Sequence, residues 1–99
     1  MIDSREITEL ALKMDILLEK LAEKEHERWS RWQRYVHSKG AVQTDGSLLI
    51  PADLVRRWEK QISTPYAELS EAEKESDRDQ VRKYLPLIVE VLQNPDMNL

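Results

Sequence analysis

The chain has 99 residues, of which 40% are hydrophobic and 34% charged, and its formal net charge is −4. This length predicts one domain, or one domain with a helical extension, and the composition is too apolar for a disordered chain. The absence of Cys excludes disulfides, thiolate nucleophiles and Cys-ligated metal sites. No uncharged run approaches the ~18 residues of a membrane span, and the charged first ten residues are not typical of a signal peptide. We therefore expect a cytoplasmic protein that does not enter a membrane.

The charge is divided into three blocks along the chain. Residues 1–27 carry eight acids against four bases, residues 28–60 carry seven bases against three acids, and residues 61–99 carry eight acids against four bases. An acidic protein binds nucleic acid poorly, because neutralisation of phosphates drives that affinity. We therefore expect no nucleic-acid partner, although the basic central block can hold a small anion.

The first predicted element is a long helix over residues 5–38, with Ser4 as its N-cap and Gly40 as its C′ residue. It would span roughly 50 Å at about 1.5 Å per residue. Because this exceeds the diameter of so small a domain, we expect either a break near Lys24–Glu27 or a projecting first half.

Apolar residues of this helix recur at alternating spacings of three and four, which is typical of a coiled-coil seam. One interpretation is that residues 1–22 form an N-terminal extension that mediates oligomerisation. The alternative is that the same stripe packs against later helices of its own chain. The residues predicted at the oligomer interface are Ile7, Leu10, Met14, Leu17 and Leu21.

The middle of the chain predicts a hairpin-like loop followed by a second helix. Asp45-Gly46 is a strong turn signal within Ala41–Ile50, and Pro51 is acceptable in the first turn of a helix. Ser63-Thr64-Pro65 ends this helix, because a residue before Pro resists the α region. Its apolar face consists of Leu54, Val55, Trp58 and Ile62.

A third helix begins at the capping-box pattern Ser70–Glu73. Pro86 lies inside its apolar stripe and predicts a kink or a break. Asn94-Pro95 is expected to close the helix and to leave residues 95–99 as a loose tail. Together the elements predict an all-α fold of three to four helices, with a long N-terminal helix and a short hairpin-like loop.

The most unusual segment is Arg28–Tyr35, which contains three cations, three aromatic residues and no acid. Its rings can build the core of a small domain. Alternatively, they can line a pocket with Arg at its rim, which suits an adenine ring and its phosphates. His26-Glu27 begins like a zinc-protease motif, but the second His is missing, so we expect no metal. No nucleophile lies beside a recognisable base, so we expect no enzyme.

Leu21–Trp29 reads LAEKEHERW and Tyr66–Arg78 reads YAELSEAEKESDR. These two segments are similar to the ryanodine-receptor (RyR) domain family, in particular to its short standalone phage and bacterial members. The chain departs from the family by lacking a G-W-x-Y-G loop after the first helix. The resemblance implies a small, mainly helical, non-enzymatic domain over residues 23–94. In phages and bacteria it further implies sensing of nucleotide-derived messengers, with Lys74 and Arg78 as the best ligand candidates.

We therefore expect a non-enzymatic binding module for an anionic, nucleotide-derived ligand, such as a phage sensor or sponge of a defence messenger, with no cofactor. The alternative is a protein-interaction module, or a phage inhibitor or adaptor, that acts through the N-terminal helix. We expect a homo-oligomer or a protein partner in either case. The predicted ligand-binding residues are His26, Trp29, Trp32, Trp58, Tyr66, Lys74 and Arg78.

Overall fold

A computed structural model describes residues 3–93 of the chain. Three α-helices dominate it, with bounds of Ser4–Lys39 for α1, Ala52–Ile62 for α2 and Glu71–Gln93 for α3. Between α1 and α2 lie two short strands, β1 (Ala41–Val42) and β2 (Leu48–Leu49), and a 3-10 turn (Tyr66–Glu68) precedes α3. This confirms the predicted all-α fold with a long first helix and a hairpin-like loop. The predicted helix end at Asn94-Pro95 and the tail at residues 95–99 lie outside the described residues.

The chain divides into two compact units. Unit 1 consists of Met1–Arg28 and Arg78–Leu99, and unit 2 consists of Trp29–Asp77. Residues 1–22, which the sequence predicted to form a separate extension, therefore belong to the same unit as most of α3. Both α1 and α3 contribute residues to each unit.

The first helix begins at a different cap from the one predicted and continues without a break. The carboxylate of Asp3 accepts the backbone N–H of Glu6 at 2.8 Å, so Asp3 takes the N-cap role that the sequence assigned to Ser4. The expected break near Lys24–Glu27 does not occur. The segment contains no Gly or Pro and many strong helix formers, and Lys24 pairs with Glu27 at 3.3 Å.

The hairpin forms as predicted, although the role of its first glycine differs. Gly46 adopts a φ of +89° and is the one described residue with a positive φ, so Gly40 does not end α1 in the left-handed conformation. A Cβ at Gly40 would lie 3.1 Å from the Cβ of Leu48, so this glycine permits a close approach of β2. In the turn, Asp45 Oδ1 accepts the backbone N–H of Ser47 at 2.9 Å and its hydroxyl at 2.6 Å.

The third helix has the predicted capping box. The Ser70 hydroxyl accepts the backbone N–H of Glu73 at 3.1 Å, and the Glu73 carboxylate accepts the backbone N–H of Ser70 at 3.2 Å. The helix continues through Pro86, so the expected break is absent. Pro86 is exposed, and it removes one backbone hydrogen-bond donor from the helix.

In unit 1, the first part of α1 and the second part of α3 run in opposite directions. The Lys13 ammonium donates to the Leu92 carbonyl at 3.4 Å, and the Tyr84 hydroxyl donates to Glu25 Oε2 at 2.7 Å. Leu17 is 8% exposed and Val91 is 0% exposed, and these are the buried apolar side chains of the described chain. Both belong to unit 1, so its core is small.

Candidate ligand-binding cleft

Unit 2 contains an open cleft of about 520 Å³, named here the main cleft. Its walls come from the end of α1, the residue that follows β2, the second half of α2, the segment after the 3-10 turn and the start of α3. The lining residues are Trp32, Gln33, Val36, Ile50, Trp58, Gln61, Ile62, Leu69 and Asp77.

Two tryptophans form an aromatic wall of the main cleft. The ring centroids of Trp32 and Trp58 lie 5.9 Å apart, with their planes tilted by 60°. Tyr35 stacks on Trp32 at 5.5 Å with an interplanar angle of 28°, which holds the indole from behind. Trp32 remains 45% exposed. The wall therefore offers aromatic surface on which a flat ring can stack.

The polar groups of the main cleft are the amides of Gln33 and Gln61 and the carboxylate of Asp77. Amides donate and accept hydrogen bonds, whereas a carboxylate accepts them. None of the described residues that line this cleft is Lys or Arg. The cleft therefore suits an apolar ring with a polar edge, and an anionic group has to lie outside it.

Cations adjoin the main cleft on one side. A second cavity of about 370 Å³ shares Trp32, Trp58 and Gln61 with the main cleft and adds Arg57. A third cavity of about 460 Å³ shares Arg57 and adds Lys60. We name the second and third cavities together the polar groove. The cleft and the groove are continuous through the residues that they share.

The polar groove contains two acidic residues as well as these two cations. Glu73 lines both of its cavities, and Glu68 lines the third cavity. Hydrogen bonds from Ser70 lower the pKa of the Glu73 carboxyl, and the charges of Arg57 and Lys60 lower it further. The carboxylate is therefore ionised at neutral pH.

The structure distributes the predicted ligand-binding residues over several places. Trp32 and Trp58 line the main cleft, and their role in ligand binding stays a prediction. Tyr66 and Lys74 pair with each other instead, since the ammonium lies 5.8 Å from the ring centroid. The Lys74 ammonium also lies 3.7 Å from the Glu71 carboxylate.

Three further predicted residues lie away from the lining of these cavities. Trp29 is an exposed residue of α1 that belongs to unit 2 but lines neither the main cleft nor the polar groove. His26 and Arg78 belong to unit 1. Unit 2 therefore does not bring all of the predicted residues together in one site.

The residues predicted at an oligomer interface differ in how much surface they offer. Ile7, Leu10 and Met14 are exposed. Leu21 is half-buried, and Leu17 is covered within unit 1. The later residues of the stripe are therefore covered within the chain, and its earlier residues are accessible; their role in oligomerisation stays a prediction.

Sequence reasoning missed Gln33, Gln61 and Arg57 as residues of the site. A usable signal was present for Gln61, which follows Trp58 by three positions and therefore shares its helix face. Val36 is related to Trp32 in the same way, at a spacing of four. No local pattern identifies Arg57, because its position beside the cleft depends on how α2 and α3 come together.

No group of three or more His, Asp and Glu side chains within residues 3–93 is arranged to hold a metal ion. No helix of the described chain is both long enough and apolar enough to cross a membrane. No protein-family model, no curated protein and no solved structure matches the chain. The similarity to the RyR domain family stays a prediction from the two motifs.

Proposed function

We propose that the protein is a small, non-enzymatic binding module whose main cleft takes a planar, nucleotide-derived ligand. The base stacks on Trp32 and Trp58, and its polar edge bonds to Gln33, Gln61 or Asp77. The phosphates extend into the polar groove toward Arg57 and Lys60. The observation that carries this proposal is a cleft with two tryptophan walls that opens beside two cations.

The size and chemistry of the main cleft support this assignment. Its volume of about 520 Å³ falls within the roughly 300–1,000 Å³ of small-molecule sites. Such sites are mostly apolar and carry a few polar groups that fix orientation. An apolar, aromatic wall with two amides and one carboxylate has this composition.

The position of the cations changes which residues should bind phosphate. The sequence favoured Lys74 and Arg78, but Lys74 is engaged by Tyr66 and Glu71. Arg57 and Lys60 lie in the polar groove, and Arg suits phosphate because its planar fork donates two parallel hydrogen bonds. We therefore assign the phosphate-binding role to Arg57 and Lys60.

Thermal melting and calorimetric titration against matched nucleotides test the proposal. The panel contains a nucleoside, its mono- and diphosphate, cyclic dinucleotides and ADP-ribose derivatives. A ligand at 100 times its dissociation constant adds about 2.7 kcal/mol, which raises the melting temperature of a domain of this size by several degrees. A nucleoside series in which affinity rises with each phosphate supports the assignment, and a flat panel contradicts it.

Matched variants locate the binding site. Trp32→Ala should abolish binding, whereas Trp29→Ala, on the same helix but outside the cleft, should leave it unchanged. Arg57→Gln should weaken binding by about tenfold or more, because a charge-assisted hydrogen bond contributes about 1.5–3 kcal/mol. Arg56→Gln, the neighbouring exposed cation, is its control. Equal effects of Arg56→Gln and Arg57→Gln would contradict the phosphate assignment.

In a cell, such a module would act as a sensor or a sponge of a defence messenger in the cytoplasm, in keeping with the resemblance to phage RyR-domain proteins. A sponge binds its ligand without changing it. After incubation with excess protein and denaturation, the ligand should be recovered intact by chromatography. Turnover of the ligand would contradict the non-enzymatic assignment.

Protein–protein interaction through the N-terminal helix is the second candidate function. The observation that favours it is the exposure of large apolar residues on both helices of unit 1, among them Ile7, Leu18 and Leu85. A contiguous exposed apolar surface on a monomer marks an interaction site.

A further inference from the structure

We propose, on the basis of this protein-interaction function, that the partner of unit 1 is a second copy of the same chain. Each copy contributes the first part of α1 and the second part of α3. The apolar faces of the two helix pairs pack together and form a four-helix bundle. The three observations that carry the proposal are the position of the exposed apolar residues, their area and the charge of the helices.

The large exposed apolar residues in the first part of α1, apart from Leu12, lie on one flank of the helix. An α-helix turns by about 100° per residue, and buried Leu17 lies on the side between Lys13 and Glu25, whose side chains contact α3. Measured about the helix axis, and counted positive in the direction in which the chain turns, Met14 and Ile7 lie at roughly 60–80° from Leu17. Leu18 lies at about 100° in the same positive direction. The other flank carries Glu23 and Glu27.

The large exposed apolar residues of α3, apart from Val89, also lie on one flank. Buried Val91 lies about 20° from Tyr84, whose hydroxyl contacts Glu25 of α1. Relative to it, Val81 lies at about 80°, Leu92 at about 100° and Leu85 at about 120°, again in the positive sense. Lys83 and Glu90 occupy the negative flank.

The two apolar flanks lie on the same side of the helix pair. The helices run in opposite directions, as the contacts of Lys13 with Leu92 and of Tyr84 with Glu25 show. Each angle is measured from the side on which a helix contacts the other. Because the two helix axes are antiparallel, the same positive angle points to the same side of the helix pair on both helices. Unit 1 is therefore a two-helix layer with one apolar face and one charged face, and a four-helix bundle covers such a face.

The area of this apolar face matches that of a stable dimer. Its large residues are between 42% and 64% exposed, and they are Ile7, Leu10, Met14, Leu18, Val81, Leu85 and Leu92. At roughly 100 Å² for each half-exposed side chain, they present on the order of 700 Å² per copy, close to the roughly 800 Å² that a standard interface buries on each partner.

The charge of unit 1 favours a second copy over a charged partner. Its described helical segments, residues 4–28 and 78–93, carry eight bases and nine acids, a net charge of −1. Two copies therefore approach without strong repulsion. The apolar face carries one carboxylate at its end, that of Glu25, which Arg28 and Tyr84 already engage. An apolar face of this kind is complementary to itself, as a two-fold interface requires.

Sedimentation equilibrium over a wide concentration range tests the oligomeric state of the full chain. We expect the wild type to be a dimer. Leu18→Glu combined with Leu85→Glu should give a monomer, because each places a charge on the apolar face. Leu12→Glu, an exposed leucine of α1 on the charged side, should remain a dimer. Circular dichroism establishes that each variant is helical. A helical double variant that stays dimeric would overturn the interface.

A spin-label measurement gives an independent test, because the label is attached away from the apolar face. The chain has no Cys, so Glu23→Cys on the charged side takes a single label. Dipolar coupling that disappears on dilution with unlabelled protein supports the dimer, and its absence at high concentration overturns it. If the protein is a monomer, binding of an apolar dye then distinguishes the second-copy proposal from the broader protein-interaction function. A dye-binding monomer overturns the second copy but leaves the protein-interaction function standing, whereas a monomer that binds no dye overturns both.

Discussion

Glu25 makes a side-chain to side-chain hydrogen bond between the two helices of unit 1. Its carboxylate accepts hydrogen bonds from Arg28 in the next turn, including Nε at 3.0 Å, and from the Tyr84 hydroxyl at 2.7 Å. The hydrogen bond from Arg28, followed by that from Tyr84, lowers the pKa of Glu25 from 4.5 to about 2. The same contact with Glu25 raises the pKa of Tyr84.

This contact makes stability depend on acid pH with a defined sign. Between pH 4.5 and about 2, Glu25 takes up a proton in the unfolded chain but not in the folded one. Its contribution is therefore complete above pH 4.5 and is lost as pH falls toward 2. Glu25→Gln should flatten the decline of the melting temperature across this window.

The matched control for Glu25 is Glu19→Gln, on the same helix. This variant should keep the wild-type slope of melting temperature against pH. An NMR titration of the Glu25 carboxyl provides a direct check. A midpoint near the ordinary value of 4.5 would show that the contact with Arg28 and Tyr84 does not persist in solution.

Local sequence patterns predicted some residue contacts and could not predict others. The pair of Ser70 and Glu73 follows from a capping box, because its partners are three positions apart. Glu25 and Tyr84 are 59 positions apart, and no spacing rule connects them. Tyr66 and Lys74 were both expected to bind a ligand, and no spacing rule indicated that they also contact each other.

At the scale of elements, the helices and the turn could be predicted because they depend on short-range chemistry. The Asp45-Gly46 turn and the start of α3 are determined by residues within four positions of each other. The break expected in α1 was inferred from the size of the domain, and the helix has no residue that would cause one. The break expected at Pro86 did not occur because a single lost hydrogen bond on an exposed helix is tolerated.

The cap of α1 gives a test at this scale. Asp3→Ala should remove the hydrogen bond to the Glu6 backbone and destabilise the first turns by about 1 kcal/mol, as loss of an N-cap does. Ser4→Ala should have a much smaller effect, because alanine is a good helix former. Amide hydrogen exchange of residues 5–9 measures both. Faster exchange in Ser4→Ala than in Asp3→Ala would restore Ser4 as the cap.

At the scale of the whole molecule, the main finding is how little apolar surface the described chain buries by itself. Leu17 and Val91 are its buried apolar side chains, and both lie in unit 1. The sequence indicated apolar stripes but could not indicate what covers them, because coverage depends on partners as well as on the fold. Likewise, the three tryptophans were recognised as unusual, but their division between cleft and surface required tertiary structure.

Two separate binding events would then stabilise the two units, and hydrogen exchange can distinguish them. Dilution below the dimer dissociation constant should accelerate exchange in residues 4–28 and 78–93. A saturating nucleotide should slow exchange in residues 52–62 instead, because it occupies the cleft beside α2. Exchange responds to binding because a ligand or partner that binds the closed form lowers the population of the locally open form. Identical responses of all segments to dilution and to ligand would contradict this division.

The division of the aromatic residues between the units makes the protein its own optical reporter. All three tryptophans lie in unit 2, whereas Tyr84 is the one aromatic residue of unit 1, and the chain has no Phe. Fluorescence excited at the red edge of the indole band therefore arises from unit 2 alone. A ligand that stacks on Trp32 should quench this emission, whereas dissociation of unit 1 should leave it unchanged. One cuvette experiment can thus follow the cleft without a label while another method follows assembly.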